Sequence, residues 1–409
     1  MNVLVVHSEL GVLRGGGENF TRNLFTAFAQ RGHNVSAAFL ADRTGRYPIT
    51  LPARIKPIPI TGWWSRNPGQ RAISCLRRYL PSGQRYQRAW DRLQQGASWR
   101  AVRWHDRRFE RRLERDFAHL WGEFDAVYVH ASTRLASKIA KHRPTILRLP
   151  GPVTAEVAPT LQMVDAVCAN GDALKCIREF LGDQAIELPI GIDTDCFLPE
   201  GPSVKADLGW NENDQVVGYV GRLTHLKGVD VLAAAFHEVS SIFPNAKLLI
   251  VGNGAEAGYI RSVLAKEVLH GRVHIERDVE HERLPYWYRA IDVLVMPSRY
   301  ENFSNAMLEA MSCRIPFVAS DIGGNRILAA ANAGWLFEPG SVSSLVECIR
   351  NALADTSELK ARGASACHYA RKCCSWNVSA AHLEAIIASL SLGIEIEQQR
   401  SSVLRACHS

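Results

Sequence analysis

Hydrophobic positions in the first part of the chain fall into short continuous runs that predict buried strands. The first run, "NVLVVHS", is followed by a glycine-rich loop and by the helical sequence "ENFTRNLFTAFAQRGH". Gly32 provides a C-terminal stop for that helix, and "NVSAAFLA" follows as a second strand. Three further apolar runs come later, "FDAVYVHA", "PTILRLP" and "VDAVCAN". Continuous apolar runs separated by helices are typical of parallel strands that are buried on both faces.

The pattern restarts after "LPIGIDTDCFLPEGPS", residues 188–203, a stretch rich in proline, glycine and aspartate that predicts a domain boundary. Beyond it, strands and helices alternate through "QVVGYVG", "VDVLAAAFHEVSSIF", "AKLLIVG", "AEAGYIRSVLAKEV", "RVHIERDV", "LPYWYRAI" and "DVLVMPS". We therefore predict an α/β protein with two doubly wound parallel-sheet domains, over residues 1–190 and 200–375. Residues 376–409 form a C-terminal helix and tail that packs back on the first domain. Ligands are expected in a cleft beyond the carboxyl ends of the strands.

Length and composition agree with two domains. The chain has 409 residues, of which 47% are hydrophobic, and one core seldom supports that length. No signal peptide and no apolar span of about 18 residues is recognisable. The ten cysteines form no C-x-x-C pair, so neither a zinc cluster nor a disulfide framework is indicated. We expect a cytoplasmic protein, either free or peripheral at the inner face of the cell membrane.

Two loops that follow strands in the second domain carry candidate site residues. In "GRLTHLKG", Arg222 and Lys227 precede Gly228 and the start of a helix. A guanidinium, an ammonium and free backbone amides at a helix N-terminus together suit a diphosphate. The alternative is a solvated loop with two surface charges. The residues by themselves do not separate these interpretations.

The second loop, "SRYENFSNAMLEAM", carries two glutamates, Glu301 and Glu309. We expect Glu301 in the loop, Ser304 near the N-cap of the next helix, and Glu309 inside that helix. This spacing prevents the two carboxyl groups from sharing a proton, so each would contact a different part of a ligand. Amides near Ser304 and Asn305 would face an anion. Taken alone, Glu309 is more simply interpreted as an exposed helix charge.

Together these motifs resemble a known family. "GRLTHLKG", "VGNG" and "ENFSNAMLEAMSCRIPFVASDIGG" are similar to the C-terminal domain of the family 4 retaining glycosyltransferases, whose fold is called GT-B. Glu301 and Glu309 match the E-x7-E motif of that family. "GGGENF" after the first strand and "PIGIDTDCF" at the linker extend the resemblance over nearly the whole chain except residues 45–120.

The resemblance implies a role for each matching residue. Arg222 and Lys227 would hold the donor diphosphate, Glu301 would contact the transferred sugar, and Glu309 would contact the ribose hydroxyls. The glycines of the N-terminal loop, Gly16 and Gly17, would approach the phosphates or the sugar, because a side chain there would block close backbone approach. No metal cofactor is required when cations neutralise the diphosphate. The triplet Asp193-Thr194-Asp195 resembles a metal motif of another glycosyltransferase fold, but it lies in the linker.

The chain also departs from the family pattern. Members commonly carry a histidine in the N-terminal domain where "TILRLPGP" has Arg148, Pro150 and Gly151, and "DIGGNRIL" lacks the acid of the G-G-x-x-E pattern. His130 is a weak substitute, and a partly buried histidine at a strand end is the simpler interpretation. The predicted function is transfer of a sugar from a nucleotide-sugar donor to a glycan or lipid-linked acceptor, as in surface polysaccharide synthesis. The rivals are a sugar synthase or phosphorylase and a non-catalytic nucleotide-sugar-binding subunit.

Basic charge is concentrated in one predicted insertion, over residues 63–121. Residues 66–115 contain fourteen arginines and four acidic residues, a local charge of +10, which leaves −3 for the rest of a chain whose total is +7. Arginines interleaved with tryptophans suit an anionic membrane surface. Equally, the segment could be a helical insertion whose arginines are solvated and paired with Glu110 and Glu114. Single-stranded nucleic acid is the least favoured partner.

Overall fold

Two parallel β-sheets form the framework of the computed structural model, which describes residues 1–11, 16–42, 44–61, 107–151, 153–301 and 303–392. The strands of the first sheet are β1 Asn2–Val6, β2 Asn34–Ala41, β3 Ile55–Thr61, β4 Ala126–His130, β5 Thr145–Arg148, β6 Ala166–Ala169 and β7 Ala185–Glu187. Its helices are α1 Gly16–Gln30, α2 over residues 107–117, α3 Thr133–Ile139, α4 Ala158–Leu161 and α5 Gly171–Leu181.

The first sheet has the strand order β3-β2-β1-β4-β5-β6-β7. The pairs from β3 to β6 are parallel and in continuous register. The chain moves outward from β1 to β3 and then returns to the other side of β1 with β4. The order therefore reverses between β1 and β4, and in open α/β sheets a ligand binds beyond the carboxyl ends of strands at such a reversal.

The second sheet is built in the same way. Its strands are β8 Gln215–Val220, β9 Ala246–Val251, β10 Val273–Glu276, β11 Val293–Met296, β12 Phe317–Ser320 and β13 Gly334–Phe337. Its helices are α6 Val229–Ile242, α7 Ala257–Val263, α8 Ala265–Leu269, α9 Leu284–Tyr288, α10 Asn305–Ser312, α11 Gly323–Ala329, α12 Val342–Ala354 and α13 Thr356–Cys373, followed by α14 Trp376–Leu392. The order β10-β9-β8-β11-β12-β13 reverses between β8 and β11.

The strands are buried because their sequences are apolar on both faces. Along β8, β9 and β11 nearly every residue is inaccessible to solvent, as is Phe236 of α6, which packs against them. Each fully buried large apolar side chain contributes roughly 1.5–3 kcal/mol to stability. Helix starts carry their own signals: Ser341 caps α12 by accepting from the Ser344 amide, and Asp355 caps α13 by accepting from two amides.

The chain divides into two compact units. The first comprises Met1–Ala169, Ile177–Ile186 and Ala380–Ser402, and the second comprises mainly Glu187–Ser379 together with Asn170–Cys176. The part of α14 beyond Ala380 joins the first unit, where Glu384 accepts hydrogen bonds of 2.8 and 2.6 Å from Arg31. In the described ranges, no helix is both long enough and apolar enough to span a bilayer.

The structure differs from the sequence predictions in four strands that were not predicted, β3, β7, β12 and β13, and in one interrupted helix. Strand β3, "IKPIPIT", was not predicted, because Pro57 and Pro59 lack the amide hydrogen that a central strand needs. They are tolerated because β3 lies at the edge of its sheet. The helix predicted over "AEAGYIRSVLAKEV" is interrupted at Leu264, which leaves helical geometry between α7 and α8.

Candidate active site

The loop after β8 holds both predicted cations of the second unit. It continues into a short 3₁₀ turn, His225–Lys227, and Gly228 then begins α6 with a left-handed φ of 65°. A β-carbon on Gly228 would lie 1.8 Å from the carbonyl oxygen of Pro297, so only glycine allows this backbone to approach the end of β11. The turn is therefore held against the end of β11, the strand that lies next to β8 at the point where the strand order reverses.

Lys227 contacts Glu301 directly, and the two side chains come from loops on either side of that reversal. Both are largely buried, with 19% and 11% of their side-chain surface exposed. Arg222 lies on the same loop and is exposed. The interpretation of Arg222 and Lys227 as two merely solvated charges is thus wrong for Lys227. A part-buried ammonium and an exposed guanidinium on one loop can neutralise a polyanion.

A second ion pair fixes the same two loops. Arg299 donates to both carboxylate oxygens of Asp230, at 2.7 Å each, and Nη1 also donates to the His225 carbonyl oxygen at 2.7 Å. Asp230 belongs to the first turn of α6, and its pKa is lowered by Arg299 although burial opposes this shift. A bidentate arginine–carboxylate pair has a defined geometry. It therefore holds the Lys227 turn in place independently of Glu301.

Helix α10 begins where the sequence predicted. Ser304 is its N-cap, and the Ser304 hydroxyl accepts a 3.3 Å hydrogen bond from the Met307 amide. Asn305 is the first helical residue, and Glu309 lies one turn later. The free amides of this first turn are suited to bind an anion at the loop that carries Glu301.

Glu309 is buried, so its interpretation as an exposed helix charge is wrong. The Tyr288 hydroxyl donates to Oε2 at 2.7 Å, and His281 Nε2 lies 3.2 Å from Oε1. Burial and the adjacent carboxylate raise the pKa of Tyr288, which therefore remains a hydrogen-bond donor. Glu301 and Glu309 have different partners, as the spacing required. Sequence reasoning missed both His281 and Tyr288, which lie on other elements of the same unit.

The first unit has its own pocket at the carboxyl ends of β1, β4 and β5. Its volume is about 630 Å³. Its lining includes the ends of β1 and β4, the glycine loop and α2, represented by His7, His130, Gly17, Glu18 and Glu110. The pocket lies at the reversal of strand order in the first sheet, which is where the fold predicts a ligand.

Two stacked imidazoles form one wall of this pocket. The rings of His7 and His130 lie 4.0 Å apart at an interplanar angle of 12°. His7 Nδ1 shares a 3.0 Å hydrogen bond with the Thr21 hydroxyl, and Nε2 lies 3.7 Å from Glu18. Burial lowers the pKa of His130 well below its usual value, and the neighbouring His7 and Arg148 add to this effect. His130 is therefore neutral, and its buried Nδ1 has no hydrogen-bond partner among the described residues.

The glycine loop meets His130 at Gly17. A β-carbon on Gly17 would lie 2.9 Å from His130 Nε2, whereas one on Gly16 would meet nothing within 4 Å. Gly17 therefore gives the His130 ring its room, and Gly16 does not contribute to this contact. Arg148, which stands where family members commonly carry a histidine, does not take part in the contact between Gly17 and His130. Its guanidinium lies over the Phe20 ring, 4.7 Å from the centroid.

The predicted partners of two acidic residues are wrong. Glu110 and Glu114 do not pair with arginines of their own helix among the described residues. Instead, Glu110 accepts hydrogen bonds from Ser132 at 2.5 Å and from Arg134 Nε at 2.9 Å, and Glu114 pairs with Lys138 at 2.7 Å. Helix α2 is thus bound to α3 beside the pocket. Most of the arginine-rich segment, residues 62–106, lies outside the described residues, and so does its predicted membrane contact.

The linker triplet closes a turn. Asp193 Oδ1 accepts from the amides of Asp195 and Cys196 at 3.1 and 3.0 Å. This is a local side-chain-to-backbone turn of the kind that aspartate commonly forms. Across the described ranges, no group of three or more histidine, cysteine or acidic side chains is arranged to hold a metal ion.

Comparisons with known proteins agree with this architecture. Residues 202–367 match the family described as glycosyl transferases group 1. A D-inositol 3-phosphate glycosyltransferase from Segniliparus rotundus is 31% identical over 199 residues, which are 47% of this chain and 44% of that protein. The lipopolysaccharide core biosynthesis mannosyltransferase LpsB from Rhizobium meliloti is 29% identical over 43% of this chain and 52% of its own length. The chain thus spans about half the length of these curated relatives.

Solved structures resemble the whole chain. Sucrose-phosphate synthase from Thermosynechococcus elongatus superposes with a TM-score of 0.71 at 19% identity, over 96% of this chain and 99% of that one. Anabaena HepE in complex with UDP gives 0.66 at 18% identity, over 95% and 100%. The predicted GT-B fold class is thereby confirmed. The similarity to the glycosyl transferases group 1 family covers residues 202–367, which lie in the second unit.

Proposed function

We propose that the protein is a retaining glycosyltransferase that moves a sugar from a nucleotide diphosphate donor to a glycan or lipid-linked acceptor. The observation that carries this proposal is the contact between Lys227 and Glu301 where the strand order of the second sheet reverses, in a loop that also carries the exposed Arg222. A cation that neutralises the diphosphate and a carboxylate that contacts the sugar are thereby neighbours. The first-turn amides of α10 extend the anion site.

The chemistry needs few protein groups. The bond between the anomeric carbon and the diphosphate oxygen breaks, a new bond to the acceptor oxygen forms on the same face, and the acceptor proton passes to the departing diphosphate. The protein must stabilise the negative charge that develops on the leaving group and position the acceptor hydroxyl. Arg222 and Lys227 supply the first function. We further propose that no metal is required, so turnover should persist in a chelator.

The pocket of the first unit supports a separate acceptor site. Its neutral His130 can donate or accept a hydrogen bond, and Glu18 lies at the same surface. Such groups suit a hydroxyl-rich ligand. The relatives named above act on D-inositol 3-phosphate and on the lipopolysaccharide core, and both classes of acceptor present hydroxyl groups. We extend the acceptor proposal to glycans and lipid-linked glycans, with the arginine-rich segment of residues 63–121 contacting an anionic membrane at its cytoplasmic face.

The decisive experiment measures binding first and chemistry second. A thermal-shift screen of uridine, guanosine and adenosine diphosphates should reveal one nucleotide that raises the melting temperature, because a ligand that binds only the folded state stabilises it. The shift should be lost in Arg222→Ala and retained in Arg261→Ala, an exposed arginine in α7. If no nucleotide stabilises the wild-type protein, the proposal is wrong.

The matching nucleotide sugar then separates the rivals. Slow hydrolysis of the donor without acceptor, abolished in Glu301→Gln, indicates a catalytic site. Binding without any hydrolysis or transfer would instead favour a non-catalytic nucleotide-sugar-binding subunit. Turnover with inorganic phosphate or a free sugar as the acceptor would favour a phosphorylase or a synthase.

A further inference from the structure

His281 reaches the buried carboxylate of Glu309 from a different loop. It begins the 3₁₀ turn His281–Arg283 that follows β10, whereas Glu309 lies in α10. His281 Nε2 is 3.2 Å from Glu309 Oε1, and half of the His281 side chain is exposed, compared with 9% for Glu309. The imidazole therefore lies between the carboxylate and solvent.

The other oxygen of Glu309 is held from inside the protein. Tyr288 is completely buried, and its hydroxyl donates to Oε2 at 2.7 Å. The ring of Phe197 packs edge-on against both His281 and Tyr288, with centroid distances of 5.3 and 5.8 Å. One oxygen thus has a buried donor, and the other has a donor that is half exposed to solvent.

We propose that His281 is a positioning residue for the ribose of the nucleotide: it orients the Glu309 carboxylate toward the two ribose hydroxyls. This inference rests on the proposed function. An ionised carboxylate has about four acceptor positions, so Oε1 can accept from His281 and from a hydroxyl together. A carboxylate this buried is costly without charged or hydrogen-bonded partners, and His281 supplies the one at the ligand surface.

The contact makes nucleotide affinity depend on pH. The charged and titratable groups that face His281 are Glu309 of α10, Glu282 of its own turn and Asp193 of the linker. The hydrogen bond to Glu309 raises the pKa of His281, although burial opposes this shift. Protonated His281 pairs most strongly with the carboxylate, so affinity is highest below this raised pKa and falls as the pH increases through it.

The test compares two nucleotides on the full-length protein. Calorimetry gives the Kd of the diphosphate identified in the screen and of its 2′,3′-dideoxy analogue, which lacks both ribose hydroxyls, near pH 6 and near pH 8.5. We expect His281→Ala to weaken binding of the ribonucleotide about fivefold near pH 6, an effect typical of the net contribution of one hydrogen bond. His281→Gln, which retains an N–H donor at a similar position, should restore most of the affinity.

Two controls separate the possible failures. The dideoxy analogue should bind wild type and His281→Ala equally, and His270→Ala, an exposed histidine after α8, should behave as wild type with both ligands. Unchanged or tighter ribonucleotide binding by His281→Ala overturns the positioning role while leaving the proposed function intact. An equal loss for both nucleotides would also overturn it, since the effect would then not involve the ribose. If wild type binds neither nucleotide, both proposals fail.

Discussion

The two units carry different functional side chains at the same place in their sheets, the point where the strand order reverses. In the second unit, the reversal between β8 and β11 brings together Lys227 and Glu301, an ion pair in loops whose geometry is fixed by Gly228 and Arg299. In the first unit, the reversal between β1 and β4 brings together stacked histidines whose burial keeps one of them neutral. A doubly wound sheet therefore determines where a ligand binds, and the strand-end residues determine which ligand.

The two sites differ in the interactions that fix their geometry. The charged site depends on backbone approach at Gly228 and on the bidentate Arg299–Asp230 ion pair, both of which resist movement. The histidine pocket depends on ring stacking and on the space that Gly17 leaves beside His130. We expect perturbations of backbone and charge to dominate in the second unit, and perturbations of pH and packing to dominate in the first.

The largest expected effect is on stability, in Gly228→Ala. The left-handed φ alone costs roughly 1–2 kcal/mol, and the collision with the Pro297 carbonyl brings the loss to about 4 kcal/mol. Gly340→Ala is the matched control, because Gly340 has a φ of 79° and open space around its β-carbon position. Chemical denaturation should show only the conformational cost in the control. Equal losses in both variants would mean that the approach to β11 is unimportant.

The second largest expected effect follows from removing the charge of Lys227. Lys227→Ala should lower turnover about a hundredfold, equivalent to about 3 kcal/mol, because one preorganised donor to the developing charge is lost. The melting temperature should also fall, because the largely buried Glu301 loses its charged partner, although Arg299 and Asp230 still hold the turn. Steady-state kinetics with the nucleotide sugar measures the effect, and Lys360→Ala, on the exposed face of α13, is the control. Wild-type turnover in Lys227→Ala would remove the diphosphate role.

The histidine pocket should respond to acid. Because the pKa of folded His130 lies below its unfolded value of about 6.5, the unfolded state binds the proton first, and stability is highest above that pH. As the pH falls below about 6.5 we expect stability to decrease by at most about 1.4 kcal/mol per pH unit. Hydrogen exchange at the amides of β4 measures this loss of stability. The dependence of stability on pH should be weaker in His130→Gln and unchanged in His270→Gln. A second decline, below about pH 4.5, is expected from Glu18, whose pKa is lowered by its contact with His7.

The smallest effect distinguishes two adjacent glycines. Gly17→Ala should cost about 1 kcal/mol and raise the KM for the acceptor severalfold, because the His130 ring must move away from the new methyl group. Gly16→Ala should be neutral, since its β-carbon meets nothing. Thermal unfolding and acceptor titration measure the two quantities. A neutral Gly17→Ala would show that the ring is free to move.

Most of the charged site could be predicted from sequence because its residues follow strands within one loop each. Arg222, Lys227 and Glu301 lie directly after β8 and β11, and the N-cap at Ser304 is a local signal. The histidine pocket could not be predicted in this way. His7, His130 and Glu110 are distant in the chain, and only the return of β4 to the side of β1 makes them neighbours. One residue of this pocket, His7, could have been identified from sequence, because it directly follows the first apolar strand.

The sequence by itself determined the parallel α/β architecture, because continuous apolar runs separated by amphipathic helices can be buried in few other ways. It also determined which loops carry cations and carboxylates. Only the tertiary structure decided the partners and the protonation of these groups: Glu309 is held by Tyr288 and His281, and His130 is neutral beside His7. The physical reason is that burial and distances between side chains far apart in the chain set pKa values and hydrogen bonds, and neither exists until the sheets are assembled.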